Sequence, residues 1–432
     1  MIKLDLSSIS SYQESVKQLT NYRLASYRDV LEVERDCENL NVYPGLKDLE
    51  RPRSIHILEE MGDDLSDIGK KAVLNGDIYW EHTAAGEGTR LQMGPKFFIT
   101  SEELKSNLLG DGVLSREQLD SFNLLPLELG RRHLLQQIFE IRNLALEAGL
   151  DPKEVLHRQK MLIIAADETM PELMSRVHQD LGGVLPLENL RFMIQASFPG
   201  LDRVGDIWDY VPSSPKRLHN HGAMVMQKSM DRQIFTVNQS GELRYFTKDE
   251  NFRDLESNLD LVSYNIEDLD YLTRALDFES MGLAIKMRSH GYAMMMEIAA
   301  NNPERPIKGG LCAFDPTLKR DVMVESIRLK GYRPEDIHLL NKNFNHYLNP
   351  SRILNDLVHH GLFMPVVVKD SYVYFQPVQG DLNFMEKTLF FTRKKTLALN
   401  SLKSKADILF ALKAFQNQDN QMGFRSFVEI FL

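Results

Sequence analysis

The sequence predicts an α/β fold in which a mixed, mostly parallel sheet is flanked by helices. Three observations carry that reading. From about Val73 onward, short apolar runs rich in β-branched and aromatic residues alternate with stretches of helical periodicity. One of those stretches, "RRHLLQQIFEIRNLALEAGLDP", is a helix with its own stop signal. A glycine loop, "GEGTR", directly follows the first core strand, and sheets of this kind bind ligands beyond the carboxyl ends of their strands.

Taken in order, residues 1–72 read as a helical extension. "YQESVKQLTNYRLASYRDVLEVERDCENL" spaces its apolar residues as a helix does, and "YPGLKDLERPRS" interrupts the pattern with prolines and a glycine. A packing layer is expected of it. The strands follow: "DIYWEHTAA", "MLIIAAD", "LRFMIQAS", "DLVSYNI", "YAMMMEIA" and "MPVVVKD". In the helix between the first two, Leu134, Ile138, Ile141 and Ala145 share one face. Gly149 supplies a left-handed closing position, and Pro152 prevents continuation. "SKADILFALKAFQNQDNQMGFRSFVEIFL" reads as a helix with a short closing segment. The expected division is residues 1–72 as the extension, 73–335 as the main α/β domain and 336–432 as a small carboxyl-terminal α/β region.

Composition narrows the function classes. No run of this 432-residue chain reaches the ~18–20 apolar residues of a membrane span. The opening "MIKLDLSSISSYQESVKQL" is too polar for a signal peptide, so a cytoplasmic protein without a membrane partner is expected. Cys37 and Cys312 are the only cysteines, which excludes a disulfide framework. Lys and Arg number 51 against 61 Asp and Glu, a net charge of −10. Nucleic acid is therefore not an expected partner, and a polyanionic ligand must be held by local cations.

Arg90 and Lys96 are such cations. Gly86 and Gly88 lack a Cβ, so the backbone there can bend sharply and bring its N–H groups close to phosphates or a base. The spacing is not that of a P-loop, and the dinucleotide fingerprint fails at Leu91, where a third glycine is needed. Taken alone, the glycine pair fits an ordinary turn equally well.

Further segments extend the pattern. "GEGTRLQMGPK" resembles the signature loop of the sugar nucleotidyltransferases, and later segments resemble the UDP-sugar pyrophosphorylase family within them. "RFMIQASFPGL" is similar to that family's Phe-x-Gln-Ser-x-Tyr-Pro, with Gln195 at the position that reads uracil. "KRLHNHGAM" resembles its Gly-His-Gly-Asp turn, with Asn220, His221 and Gly222 at the first three positions. "LVSYNIEDLDY" is similar to the strand and turn that carry the metal-binding carboxylate, here Glu267. "IKGG" places Lys308 at the family's Lys-Gly-Gly, and "LNSLKSKADILFAL" places Lys403 at its carboxyl-terminal lysine. "VMVESIRL" and "LLNKNFNHYL" resemble sugar-contacting segments, giving Glu325, Asn341 and Asn343.

The resemblance implies a Rossmann-like nucleotidyltransferase fold and a uridylyl transfer from UTP to a sugar 1-phosphate, with glucose first and N-acetylglucosamine the alternative. It implies that Arg90, Lys96 and Lys403 offset the phosphate charge during transfer. Ala85, Gly86, Gly88, Thr89, Gln195, Asn220 and Gly222 would hold the nucleotide. His221, Lys308, Glu325, Asn341 and Asn343 would contact the sugar phosphate, and Glu267 would ligate Mg2+. The carboxyl-terminal β-helix through which some relatives assemble is absent from the pattern, so a monomer or weak dimer is expected. The family's Asp is Glu267 here, its following Asn is Asp268, and its first turn glycine is Asn220. These departures keep a second possibility open, a nucleotide-sugar binding or regulatory protein of the same fold that turns over poorly.

Other residues take plainer readings. Met294, Met295 and Met296 are expected in the core. His359 and His360 are adjacent and diverge on a helix, which does not suit a zinc site.

Overall fold

The computed structural model describes residues 7–431 except 87, 89, 90, 305, 307 and 396–399, and it describes the backbone alone at 7, 8, 343 and 344. Among the described residues, a 12-stranded sheet forms the centre. Its main path runs Ile55–Ile57, Thr388–Thr392, Met294–Ala300, Leu339–Tyr347, Asp260–Asn265, Ile78–Thr83, Lys160–Ala166, Leu190–Gln195, Ile234–Val237, Leu243–Tyr245. The strands at Asp260, Ile78, Lys160 and Leu190 are mutually parallel, as the apolar runs predict. Leu339–Tyr347 runs antiparallel between Met294–Ala300 and Asp260–Asn265, so the sheet is mixed. Strand Ile78–Thr83 is buried at all six positions because sheet neighbours flank it and helices cover it.

Helix Leu129–Glu147 lies on the sheet with Leu134, Ile138, Ile141 and Ala145 buried in the same cluster as Trp80, Ile163 and Phe192. It ends as predicted. Gly149 adopts φ +69°, its N–H donates to the Leu146 carbonyl at 3.0 Å, and the Leu150 N–H donates to the Ala145 carbonyl at 2.9 Å. Met294, Met295 and Met296 are fully buried.

A second, four-stranded antiparallel sheet has the order Val366–Lys369, Tyr372–Phe375, Leu201–Val204, Ile207–Tyr210. Helices Ser7–Arg23 and Val30–Asn41 cover it. Tyr12, Val16, Leu24 and Val33 pack with Trp208, Val366 and Phe375. The Asn41 carboxamide brackets Val366 by accepting from its N–H at 2.8 Å and donating to its carbonyl at 2.6 Å. The amino-terminal helices are thus a packing layer.

Three details differ from the sequence reading. "MPVVVKD" belongs to the second sheet, because it folds back on Tyr372–Phe375 across Asp370 and Ser371, both at positive φ. The stretch read as helical to residue 72 contains a strand, Ile55–Ile57, parallel to Thr388–Thr392. Residues beyond 336 supply two strands of the central sheet, Leu339–Tyr347 and Thr388–Thr392, so no break in packing occurs at 335.

Helix Ile408–Asp419 docks on Leu129–Glu147 through a buried ion pair. Arg132 and Asp419 are both essentially inaccessible, with Nη1 to Oδ1 at 2.7 Å. Arg132 also donates to the Leu125 carbonyl at 2.8 Å and Gln418 Oε1 at 2.9 Å, and it stacks over Phe415.

Candidate active site

The loop after Ile78–Thr83 is shaped by its glycines. Gly88 sits at φ +60°, and a Cβ there would stand 2.4 Å from the Gly94 carbonyl oxygen, so only glycine fits. The Leu91 and Gln92 N–H groups donate to the Gly88 carbonyl at 2.8 and 3.0 Å, and the Lys96 N–H donates to the Gly86 carbonyl at 3.1 Å. The loop thereby folds back and delivers Lys96 to the strand ends. Ala85 is buried at its root, and Gly86 is exposed. Arg90 and Thr89 lie outside the described residues.

Lys96 forms an ion pair with Glu267, which follows the neighbouring strand Asp260–Asn265. The second Glu267 oxygen faces Lys403 Nζ at 3.4 Å. Burial alone would raise the Glu267 carboxyl, but Lys96, Lys403 and the Lys96 hydrogen bond outweigh it and hold the group below the usual carboxylate range.

Lys403 arrives on a latched segment. The Leu402 N–H donates to the Glu267 carbonyl and the Leu269 N–H to the Asn400 carbonyl, both at 2.7 Å. Asn400 donates through its backbone and its carboxamide to Asp270, at 3.0 and 2.9 Å, and the Ser401 hydroxyl donates to Asp268. Burial, then repulsion from Glu267, pushes Asp268 up to about 7 against the Ser401 hydrogen bond. Asp268, which departs from the family pattern, therefore fastens the segment that carries Lys403.

A cavity of about 420 Å³ opens at these strand ends. Asn220, His221, Glu267, Glu325, Asn341 and Lys403, all singled out from the sequence, line it together. Asn220 caps helix His221–Lys228 by accepting from the His221 N–H at 2.8 Å. His221 is exposed and lines the cavity. Desolvation by the surrounding protein, with Lys403 and Lys96 opposing Glu267 and Glu81, lowers its pKa from the usual range.

Glu325 is cradled by Gly380, where a Cβ would stand 2.1 Å from Oε1. Burial first, then repulsion by Asp381, pushes its carboxyl up to about 7 against a hydrogen bond with Asn341. Because this lies above the 4.5 of an unperturbed glutamate, the folded chain keeps a proton that the unfolded chain releases. The associated stability is complete below pH 4.5 and is lost as pH rises through about 7, with a slope of up to ~1.4 kcal/mol per pH unit between. Glu325→Gln should flatten that slope in denaturant melts taken across the interval. An unchanged slope would assign it to other groups.

The remaining predicted residues sit apart from the cavity. Gln195 ends the strand two places from Ile78–Thr83 in the sheet, and its carboxamide donates to the His219 carbonyl, next to Asn220. Gly222 permits close packing, since a Cβ there would lie 2.6 Å from the Pro377 carbonyl carbon. Lys308 is not brought in. It lines another cavity, of about 310 Å³, with Glu34 and Glu38, and the two cavities share only Ser326. The side chain of Asn343 lies outside the described residues.

No family model and no curated protein matches this chain. Solved structures do. The uridine diphosphate N-acetylglucosamine pyrophosphorylase from Trypanosoma brucei, in complex with an inhibitor, superposes with TM-score 0.59 at 15% identity, covering 94% of this chain and 80% of that one. A point mutant of UDP-glucose pyrophosphorylase from Leishmania major, in complex with UDP-glucose, gives TM-score 0.55 at 11% identity, covering 94% and 79%. The chain has a UDP-sugar pyrophosphorylase-like fold.

Within that fold, this chain's cavity carries groups that sequence reasoning missed. Thr83, Ser263, Asn265, Asn345 and Gln379 also line it. Beneath it, Glu81 and Lys228 form a buried ion pair, and the Ser263 hydroxyl donates to Glu81 at 2.8 Å. A glutamate inside the apolar run "IYWEHT" was the available signal for that pair, since charges are rarely buried unless paired. Among the described residues, no three or more His, Cys, Asp or Glu side chains form a metal-binding group, and no helix is long and apolar enough to cross a membrane.

Proposed function

We propose that this chain is a uridylyltransferase that joins UTP and a sugar 1-phosphate into a UDP-sugar and pyrophosphate, with glucose 1-phosphate the first sugar expected. The observation that carries the reading is the meeting of Lys96, Lys403 and Glu267, from three distant segments, at the strand ends where Glu267 and Lys403 line one cavity. A sugar-phosphate oxygen attacks the α-phosphorus of UTP, a new P–O bond forms, and the bond to the β-phosphate bridge breaks. Charge develops on all three parties, so placed cations supply most of what a protein can contribute.

In the free protein the two lysines rest on Glu267. Incoming phosphates would draw both ammoniums away, Lys96 toward the triphosphate and Lys403 toward the junction of sugar phosphate and α-phosphate, with Arg90 on the leaving pyrophosphate. Glu267 is then the carboxylate left to hold Mg2+. Glu267, the lining carboxylate beside both lysines, would suit an ion whose other ligands are phosphate oxygens and water, and when bound that ion would neutralise phosphate charge. His221, with its pKa lowered, would donate a ring N–H to a phosphate oxygen, and Gln195 has both a donor and an acceptor for an imide edge.

Pyrophosphate release with Mg2+, each nucleoside triphosphate and a panel of sugar 1-phosphates including N-acetylglucosamine 1-phosphate tests the proposal. UTP-dependent release with one sugar is expected. The pairing of both lysines with Glu267 also favours a second reading, a nucleotide-sugar binding protein. Silence across the panel from folded protein that binds UDP would select it.

A further inference from the structure

We infer that the carboxamides of Asn345 and Gln379 form a sugar-reading wall in the cavity, and that this wall selects a neutral polyhydroxylated sugar over one bearing a carboxylate. The inference rests on the proposed uridylyl transfer and adds residues and a substrate class to it.

Both residues line the cavity and both are only 8% exposed. Asn345 lies on strand Leu339–Tyr347, in register with Ser263, while Gln379 begins the turn Gln379–Phe384. Asn345 Oδ1 and Gln379 Nε2 have no hydrogen-bond partner in the free protein. A buried polar atom left unpaired costs free energy, and such atoms are rare in native proteins unless something else supplies the missing bond.

Their chemistry identifies what is missing. Asn345 Oδ1 only accepts and Gln379 Nε2 only donates. A phosphate oxygen accepts, so it cannot satisfy Asn345. A hydroxyl donates and accepts, so one sugar ring can satisfy both. Ser263 adds a second acceptor, because its own proton is committed to Glu81 at 2.8 Å and only lone pairs remain free.

Charge then sets the class. Among the described residues lining the cavity, Lys403 is the one lysine or arginine, and it sits on Glu267. Glu325 lines the same cavity with Asp381 behind it, and the nearby Arg328 is already bound to Asp381 at 2.8 Å. With Lys403 engaged by Glu267 or by phosphate, a carboxylate on the sugar would meet no free cation among the described lining residues. Above about pH 7 it would also face ionised Glu325.

Calorimetric titration of the full chain with UDP, UDP-glucose and UDP-glucuronate provides the test, using wild type and the near-isosteric Asn345→Leu and Gln379→Met. Wild type should bind UDP-glucose at least ~10-fold more tightly than UDP and should gain nothing from the glucuronate. Each variant should lose ~10-fold toward UDP-glucose, keep its UDP affinity, and melt no lower than wild type, since an unpaired polar atom has been removed. If either variant fails to fold, Asn345→Ser and Gln379→Ser take its place. Unchanged UDP-glucose binding in the variants, an equal gain from glucuronate, or no gain from glucose in wild type would each overturn the wall. Wild type that binds no UDP at all would instead overturn the proposed function, and the wall with it.

Discussion

Lys403→Ala is expected to lower kcat by ~10²–10³-fold, with UTP affinity held within ~3-fold of wild type. The division follows from how the two lysines are delivered. Lys96 comes from the glycine loop, shaped by hydrogen bonds within residues 86–96 that do not involve Lys403. Lys403 comes from the segment latched to residues 267–270, and its side chain stays 45% exposed. In the proposed reaction, truncating it removes a charge at the transferring group and leaves the glycine loop intact. Steady-state kinetics beside direct UTP titration separate the two effects. Equal loss of binding and turnover would place Lys403 on the nucleotide in the ground state.

The largest effect on stability is expected from Asp419→Ala, at ~3–5 kcal/mol. It strands the Arg132 guanidinium, which is fully buried, and also removes the acceptor for the Leu125 N–H at 2.8 Å. Replacing both partners with apolar residues, as Arg132→Met with Asp419→Leu, should recover much of the loss because no charge is then left unpaired. Thermal melts of the single and double variants check this. A double variant no more stable than the single would show that the pair's other hydrogen bonds, to Leu125 and Gln418, carry the interface.

The parallel strands were legible because each apolar run carries its own period and bounding residues, and the helix Leu129–Glu147 because it carries its own stop. What depends on distant partners was not legible. Nothing local in "MPVVVKD" says which sheet it joins, and three residues at Ile55 are too few to show a period. Lys403 reads as a surface lysine from spacing alone, and only its resemblance to a family segment pointed inward. Lys308 shows the limit of such carry-over, since the fold directs it to a different cavity. Asn345 did leave a trace. Asn341 and Asn345 stand four apart in one strand, where asparagine is disfavoured, and both line the cavity.

The strand Leu339–Tyr347, inserted antiparallel between Met294–Ala300 and Asp260–Asn265, also bears on the order of folding. Until it pairs, those two strands each lack a neighbour, and Asn341 and Asn345 are not yet placed in the cavity. Closing the sheet therefore requires non-local pairs, such as Leu261 with Tyr347, which form more slowly than local contacts. Early collapse around the Ile78, Lys160 and Leu190 strands would leave open edges exposed to other chains. The cavity is complete only once that strand has paired, so an intermediate without it would lack the side lined by Asn341 and Asn345.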